Sequence, residues 1–417
     1  MKKRAATAGV SAAAKSRQPI NVKPAPTAKA RPTLTPAETA RNYETVALVL
    51  QGGGALGSYQ SGVYEGLHEA GIRPDWFAGI SIGAFNAALL AGNAPEDRLA
   101  KMREFWNLIC APALPLPQSV FDIQQQATSW LSRSDHLRPM INGLTAFASL
   151  AHGQRGFFVP RTPPPFLAAT GAIGATSFYD TAPLKQTLEA LVDFDRLNHT
   201  SQRFTVGAVN VRTGNFVYFD NRKTKIRPEH VMASGALPPA FAAVEIDGEF
   251  YWDGGVVSNT PLEYIVEDLP RRDTLALQVD LWNARGLVPS TIMEVLERQK
   301  DIQYSSRTRR GTDVATERQR LRLAISQLIE LIPANKLSDE LKSGLESLTC
   351  DKVLNVIHLI YKAKIYEEQY KDYSFGADTM REHWQAGLDD MQKTLQRKQY
   401  FDLPGRDVGV VTHDVHR

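Results

Sequence analysis

The chain has 417 residues and a formal charge of +3, with 43% hydrophobic and 22% charged residues. These values are ordinary for a globular protein, so they exclude a collagen-like chain, a wholly disordered chain and a disulfide scaffold. The length allows two domains, or one large α/β core with additions. The two cysteines, Cys110 and Cys350, lie far apart without metal-ligand spacing, so we expect neither a disulfide framework nor a metal site.

Residues 1–43 are predicted to form a disordered basic tail. Its cations meet almost no acids, and scattered prolines prevent a continuous helix. This composition favours a solvated arm, and we expect no nucleic-acid partner. The first 45 residues contain no apolar core of a secretion signal, and no later stretch approaches the roughly 18 uncharged apolar residues of a membrane span. We therefore expect a soluble, cytoplasmic protein whose contact with a membrane, where it makes one, is peripheral.

The apolar pattern after the tail is typical of a parallel α/β sheet. Residues 46–50 are an unbroken apolar run, which predicts a central parallel strand. Apolar residues at helical spacing over residues 57–70 then predict a helix. Residues 76–80 predict a second buried strand, and residues 82–90 a second helix. This order predicts a three-layer α/β/α core with a mainly parallel sheet.

Prolines and glycines interrupt this alternation over residues 112–178, which we interpret as an insertion that forms a lid or a wall of the substrate cleft. Beyond it, residues 205–211 and 215–219 predict two strands around a turn, and residues 275–279 predict one more. We therefore assign residues 44–285 to one α/β domain.

The pattern changes after residue 290 to long charged stretches with helical spacing. Residues 318–331 and 353–370 are examples, and His358 in the second is interpreted as a core residue. We therefore assign residues 286–417 to a helical C-terminal region, which forms either a second domain or a helical layer of the first.

A glycine-rich loop, residues 51–57, separates the first predicted strand from the first predicted helix. Glycines there let main-chain amides face one point, and the helix N-terminus adds positive potential, so the loop can hold an anion. It could form an oxyanion hole from Gly52, Gly53 and Gly54. Together with Gly57, these glycines also fit the G-x-G-x-x-G fingerprint of a dinucleotide-binding fold. That site needs an acidic residue at the end of the next strand, whereas Asp75 lies before that strand.

The segment Gly79-Ile80-Ser81-Ile82-Gly83 follows the second predicted strand and has the G-x-S-x-G pattern of a nucleophile elbow. In such an elbow a strained turn exposes the serine hydroxyl. Gly79 and Gly83 are required because a side chain at either position would collide across the turn. Ser81 is therefore a candidate nucleophile, and it needs a base to take its proton.

The segment Asp253-Gly254-Gly255 follows two strand-like runs at residues 244–246 and 249–251. Gly254 and Gly255 would turn the chain sharply and leave the Asp253 carboxylate at a strand end. Alone, such a segment is an ordinary hairpin turn. Together with the other two motifs, it supplies a candidate base.

These three motifs occur in the order and approximate spacing of the patatin-like phospholipases, which the sequence resembles over residues 45–270. Residues 234–238 and 256–261 are also similar to that family. The resemblance implies a Ser81–Asp253 dyad without histidine, an oxyanion hole that includes the amides of Gly53 and Gly54, no cofactor and no metal. It also implies a lipid or acyl-ester substrate, hence a phospholipase, lysophospholipase or esterase, and leaves the oligomeric state open.

Two features lie outside the shared motifs. Leu56 stands where family members often carry Arg or Lys, which removes any headgroup contact by that cation but leaves the amide donors in place. The C-terminal region, which ends in Leu403-Pro404-Gly405-Arg406-Asp407, resembles a domain of unknown function that accompanies a bacterial subset of the family.

Three alternatives remain beside this interpretation. An α/β-hydrolase triad would combine Ser81 and Asp253 with a late histidine, His413 or His416, although more strands usually precede that elbow and chain ends fray. An acyl-carrier transacylase would pair its serine with histidine and leave Asp253 unexplained. A non-catalytic scaffold would bind acidic partners through its helical C-terminus, as suggested by a cluster of arginines: Arg307, Arg309, Arg310, Arg318, Arg320 and Arg322.

Overall fold

Strands from both ends of the chain meet in one central sheet. The computed structural model describes residues 34–112, 138–305, 308–333, 336, 338–346, 348–364, 367 and 369–415. The strands are β1 Thr45–Leu50, β2 Trp76–Gly79, β3 Val159–Pro160, β4 Tyr179–Asp180, β5 Arg203–Asn210, β6 Phe216–Asp220, β7 Val244–Ile246, β8 Glu249–Asp253, β9 Thr274–Asp280, β10 Leu354–Ile360 and β11 Val410–Asp414. The helices are α1 Pro36–Ala40, α2 Ser58–Glu69, α3 Ile82–Ala91, α4 Arg98–Ile109, α5 Arg138–His152, α6 Ala182–Leu191, α7 Phe194–His199, α8 Pro228–Ser234, α9 Leu262–Val266, α10 Ile292–Tyr304, α11 Thr308–Glu330, α12 Asp339–Glu346 and α13 Ala377–Gln396.

Nine of the described strands form the central sheet, in the order β11-β10-β9-β1-β2-β5-β8-β7, with β6 paired to β5. From β11 to β5 each neighbouring pair runs parallel, whereas β6, β7 and β8 join antiparallel. The predicted mainly parallel sheet is therefore confirmed.

Alternate residues of β1 face two different cores. Leu48 and Leu50 pack with buried side chains of α2, α3, α4 and α13, whereas Ala47 and Val49 pack with Ile265 of α9. Because successive side chains of a strand point to opposite faces, a strand buried throughout needs helices on both sides. The three-layer α/β/α arrangement is confirmed.

The region over residues 286–417, predicted as helical, contains helices α10 to α13 but is not helical throughout. β10 and β11 lie in it and extend the sheet beyond β9. Residues 353–370, predicted as a helix, begin with β10, which is buried along nearly its whole length and contains His358. A short apolar run fits a buried strand and a buried helix equally well by periodicity. The helix predicted at residues 318–331 is confirmed by α11.

Ordered structure begins before the predicted end of the tail at residue 43. The side chain of Thr35 accepts a hydrogen bond from the amide of Glu38, whose carboxylate accepts one from the amide of Thr35, and this capping box starts α1. Pro36 is tolerated because the first helical position needs no amide donor. Residues 1–33 lie outside the described residues.

The predicted insertion is described in part. Residues 113–137 lie outside the described residues, and the remainder contains α5 and the two-stranded pair β3–β4. Within the described part of the chain, no helix has the length and apolar character that crossing a membrane requires.

Two glycines let α2 and α13 touch at the level of their backbones. A Cβ atom at Gly62 of α2 would lie 1.8 Å from the Trp384 carbonyl oxygen, and one at Gly387 of α13 would lie 2.0 Å from the Tyr59 carbonyl oxygen. The Tyr59 hydroxyl also donates to Asp390 Oδ2 at 3.0 Å. The C-terminal region is therefore packed directly against the helix that follows the glycine loop.

We expect Gly387→Ala to lower the free energy of unfolding by about 1–3 kcal/mol, because the added methyl group must push the two helices apart. Urea unfolding followed by circular dichroism measures the change. The matched control is Gly344→Ala on α12, where an added Cβ meets nothing within 4 Å. It should leave stability unchanged or raise it by up to about 1 kcal/mol. Equal losses in the two variants would contradict the close packing.

Candidate active site

The sheet register brings the elbow serine and the candidate base to the same level. Gly79 of β2 lies opposite Val206 of β5, and Asp253 of β8 lies opposite Ala208, two residues further along β5. Ser81 follows Gly79 by two residues, so it projects beyond the end of β2 beside Asp253. The structure thus places the two predicted catalytic residues together.

Ser81 occupies a strained strand-to-helix turn. Its φ of 53° and ψ of −126° form a conformation that non-glycine residues rarely adopt, which costs of order 1–3 kcal/mol. Its amide donates to the carbonyl oxygen and to Oγ of Ser234, both at 3.1 Å. The Ser234 hydroxyl donates in turn to the Gly207 carbonyl at 2.7 Å. This bonding holds the turn in place from the β5 side.

At the two elbow glycines, one segment of the backbone passes very close to another. A Cβ at Gly79 would lie 2.2 Å from the Gly83 carbonyl oxygen, and one at Gly83 would lie 2.3 Å from the Leu50 carbonyl oxygen. Because both contacts are with backbone oxygens, neither neighbour can shift without a large energetic cost. The collisions expected from the sequence are therefore present in the geometry.

Asp253 is buried, with 2% of its surface exposed. Burial raises the pKa of its carboxyl group to about 7, although the nearby Ser81 hydroxyl and the hydrogen bond from the Gly255 amide act in the opposite direction. The Gly255 amide lies 2.7 Å from Oδ1. The turn needs its glycines, because a Cβ at Gly254 would approach the Gly207 carbonyl oxygen to 2.8 Å. The result is a carboxyl group that changes charge near neutral pH and contacts the elbow hydroxyl.

The glycine loop presents two main-chain donors. Among the described residues, the amides of Gly53 and Gly54 have no hydrogen-bond acceptor. The Gly52 amide, which we predicted as a third donor, instead faces the Asn259 carbonyl at 3.3 Å. The candidate oxyanion donors are therefore Gly53 and Gly54, while Gly52 contributes to the wall of the site.

Two side chains fix the direction of the Gly52–Gly53 peptide. The Gly52 carbonyl accepts hydrogen bonds from Trp282 Nε1 at 2.9 Å and from Asn259 Nδ2 at 3.0 Å. In a trans peptide the C=O and N–H groups point in opposite directions. The Gly53 N–H is therefore turned away from both side chains.

The other end of the loop rests on the C-terminal region and on the elbow helix. The Ala55 amide donates to the Asp372 carbonyl at 2.8 Å, and Gly54, at φ 56°, passes so close that a Cβ would lie 2.0 Å from that oxygen. A Cβ at Gly57 would lie 2.5 Å from the Ile82 side chain. These contacts explain the glycines at both positions.

A largely apolar cavity of about 210 Å³ opens beside Ser81. Motifs from the sequence identify the glycines, Ser81 and Asp253, but most of the wall comes from residues that no motif marks. These include Phe85, Phe157, Phe158, Tyr179, Phe241, Trp282, Tyr304, Tyr373 and Phe375. The cavity can accommodate an apolar chain attached to a group at the serine.

Buried ion pairs hold the C-terminal part of this wall. The ammonium group of Lys371 lies 2.9 Å from Glu297 and 2.8 Å from Asp301 on α10. Burial lowers the pKa of Lys371, but these carboxylates outweigh it and raise the pKa above its usual value. Lys300 of α10 pairs in turn with Asp372 at 2.7 Å. Helix α10 and the segment before α13 are thus joined beside the cavity.

The histidine needed for a catalytic triad and the acid needed for a dinucleotide site do not lie beside Ser81. His413 is on β11, an edge strand separated from β1 by β9 and β10, and its ring stacks on Tyr400 at 4.3 Å. This ordered position also corrects the expectation of a frayed end, while His416 lies outside the described residues. No histidine is among the described residues that line the cavity. Asp75 accepts the Val46 amide at 3.0 Å near the amino ends of β1 and β2, away from the glycine loop.

Two family models match the sequence. One, described as patatin-like phospholipase, matches residues 48–266. The other, described as patatin phospholipase, matches residues 302–407.

Curated relatives share shorter segments. The chain is 36% identical over 115 residues to an uncharacterized NTE family protein of Mycobacterium tuberculosis, covering 27% of this chain and 18% of that protein. It is 37% identical over 90 residues to patatin-like phospholipase domain-containing protein 6 of Homo sapiens, covering 22% and 6%. It is 58% identical over 50 residues to a lysophospholipase of Aspergillus terreus, covering 12% and 3%. The matches thus span less than a fifth of the length of these relatives.

Among solved structures, VipD from Legionella pneumophila aligns over 85% of this chain and 67% of its own, at 16% identity and a TM-score of 0.35. This structural similarity is too weak to support a conclusion about fold or function. The first family model, in contrast, covers more than half of the chain and contains all three motifs. The chain therefore belongs to the patatin-like phospholipase family.

Proposed function

We propose that the protein is a lipid acyl-ester hydrolase that uses Ser81 as nucleophile and Asp253 as its base. The observation that carries this proposal is a strained, elbow-mounted serine whose hydroxyl lies beside a buried carboxyl group, next to the Gly53 and Gly54 amides and an apolar cavity. The relative described as a lysophospholipase supports a phospholipid or lysophospholipid substrate.

In the first step, Asp253 takes the proton of the Ser81 hydroxyl while Oγ attacks the ester carbonyl carbon. The amides of Gly53 and Gly54 donate to the oxyanion of the tetrahedral intermediate, a type of contact worth about 3–4 kcal/mol per donor in known hydrolases. The C–O bond to the alcohol then breaks, and Asp253 returns the proton to the leaving oxygen. An acyl-enzyme remains on Ser81.

In the second step, water enters and Asp253 takes one of its protons. The resulting hydroxide attacks the acyl carbon, the same amides hold the oxyanion, and the bond to Oγ breaks with return of the proton to Ser81. The fatty acid leaves and the enzyme is restored. The carboxyl group thus accepts and returns one proton in each step, a role suited to a pKa of about 7.

The scaffold alternative is less well supported. Arg318 and Arg322 both pair with Glu267, at 2.6 Å and 2.9 Å, so they are already engaged within the chain. The side chains of Arg307, Arg309 and Arg310 lie outside the described residues. The Arg318 and Arg322 ion pairs therefore favour the enzyme over the scaffold.

Ser81→Ala and Asp253→Asn should each reduce hydrolysis of a medium-chain p-nitrophenyl ester by about a thousandfold or more, because nucleophile and base act as a unit. Labelling by a fluorophosphonate probe, followed by peptide mapping, should mark Ser81 and disappear in the Ser81 variant. Ser201→Ala and Asp195→Asn, both at exposed positions, are matched controls that should keep activity. Full activity without Ser81 would exclude the mechanism.

The activity should depend on pH through Asp253. Only the ionised carboxylate accepts a proton, so kcat/KM should rise with pH through a midpoint of about 7 and then level off. A midpoint near 4, the value of an ordinary carboxyl group, would contradict the raised pKa of Asp253.

Stability should show the same ionisation independently of activity. Folding raises the pKa of Asp253 from its ordinary value of 3.8 to about 7. The neutral carboxyl group therefore stabilises the fold at low pH, and this stabilisation is lost as pH rises through about 7. Asp253→Asn should therefore gain free energy of unfolding relative to wild type between pH 4 and pH 8. Urea unfolding at the two pH values tests this, and a gain that does not grow with pH would argue against the raised pKa.

Trp282→Phe should lower kcat about tenfold with little change in KM, because it removes one hydrogen bond that directs the Gly53 amide toward an oxyanion formed only during reaction. The matched control is Trp76→Phe, which removes an equivalent indole hydrogen bond, to Thr205 at 3.0 Å, near the amino end of β2. Steady-state kinetics on the same ester compare the two variants. Equal effects would show that Trp282 matters only for packing.

A further inference from the structure

Helix α5 presents an apolar face to solvent. Met140, Leu144 and Phe147 are each more than half exposed, and their spacing of four and three residues places them on one side of the helix. Exposed apolar residues are ordinary when they are scattered singly, whereas a contiguous group indicates a surface that binds something.

A second exposed apolar group follows in residues 165–178. Phe166 is 84% exposed and Leu167 is 76% exposed, and Phe178 is partly exposed beside them. The rings of Phe166 and Phe178 lie 5.9 Å apart. These side chains therefore form one patch rather than isolated exposures.

Both groups adjoin the mouth of the cavity. Leu150, one turn beyond Phe147 on α5, is partly exposed and also lines the cavity. Tyr179, which follows Phe178, lines the cavity too, and its hydroxyl donates to the Leu150 carbonyl at 2.8 Å. We call the exposed residues Met140, Leu144, Phe147, Phe166, Leu167 and Phe178 the apolar rim.

The segment that carries the rim contains no acid. Asp and Glu number 45 in 417 residues, a frequency at which the 41 residues from 138 to 178 would contain about four, yet they contain none. They do contain three arginines. Arg138 pairs with Glu382, whereas Arg155 is exposed and Arg161 donates to the Ser177 hydroxyl at 2.9 Å. The segment that carries the rim therefore combines exposed apolar side chains with arginines and no acid, which complements a phospholipid surface.

We propose that the apolar rim docks on the surface of a phospholipid bilayer, so that the cavity mouth faces the lipid. This inference rests on the proposed function, since it supplies the route by which a lipid acyl chain reaches Ser81. A second copy of the chain fits the same face less well. A symmetric dimer would bring together two segments that contain arginines and no acids, and it would cover both cavity mouths.

Flotation of the full chain with vesicles tests the proposal. Vesicles of phosphatidylcholine alone, and with added phosphatidylglycerol, are mixed with the Ser81→Ala protein so that no lipid is consumed. Two further versions of that protein carry Leu144→Asp with Phe147→Asp, or Phe166→Asp with Leu167→Asp. We expect the parent protein to float with the vesicles, more strongly with the anionic lipid, and each double variant to lose about tenfold or more in vesicle binding.

The matched control is Leu321→Asp with Leu328→Asp on α11. Both leucines are about as exposed as Leu144, but α11 packs against β11 at the far edge of the sheet, and its Gln319 bonds the Cys350 and Lys352 carbonyls before β10. This variant should bind vesicles like the parent protein. With Ser81 restored, both rim variants should hydrolyse a soluble short-chain ester within about twofold of wild type, because the rim side chains lie outside the cavity.

Three results would overturn the proposal. The first is a parent protein that fails to float with the vesicles, and the second is rim variants that bind vesicles as well as the parent does. The third is a dimer, detected by light scattering, that dissociates when the rim is substituted, which would assign this face to a second copy of the chain. Failure of the proposed function would look different. In that case Ser81 would remain unlabelled and the soluble ester intact, whatever the vesicle result.

Discussion

The approach of the Ser81 hydroxyl to the buried Asp253 carboxyl group is the interaction on which the rest of the candidate site depends. Burial alone would push the carboxyl group toward its neutral form, and the nearby Ser81 hydroxyl and the hydrogen bond from the Gly255 amide oppose this only partly. The balance leaves a pKa of about 7. A carboxyl group with this proton affinity can both accept and return a proton at neutral pH, as the proposed mechanism requires.

The fold supplies this contact through the register of three strands, and backbone crowding around it explains the glycines. β5 pairs with β2 over its first half and with β8 over its second half, so the ends of β2 and β8 meet. Gly79, Gly83 and Gly254 are the points where one chain segment passes within contact distance of another backbone carbonyl. Hydrogen bonds from the Ser81 amide to Ser234 hold Ser81 in its strained conformation, so the turn does not relax.

The sequence predicts the α/β core well and marks Ser81 and Asp253 as a candidate pair, because local rules apply to both: apolar runs specify buried strands, and glycines mark tight backbone crossings. It predicts long-range contacts poorly. β10 was expected as a helix, since a short apolar run does not distinguish the two structures, and its pairing with β9 depends on distant residues. Likewise, the sequence does not reveal that the Gly52 amide faces the Asn259 carbonyl, and nothing near Trp282, Tyr373 or Phe375 marks them as cavity residues.

The C-terminal region is part of the site in physical terms, although a separate family model matches it. The Asp372 carbonyl fixes the Ala55 amide, and Tyr373 and Phe375 complete the cavity wall. Lys371, 4% exposed, would be a costly buried cation without Glu297 and Asp301, so removing this segment would leave two carboxylates without their buried partner as well as opening the wall. The same segment thus links the position of the candidate oxyanion donors to the shape of the apolar cavity.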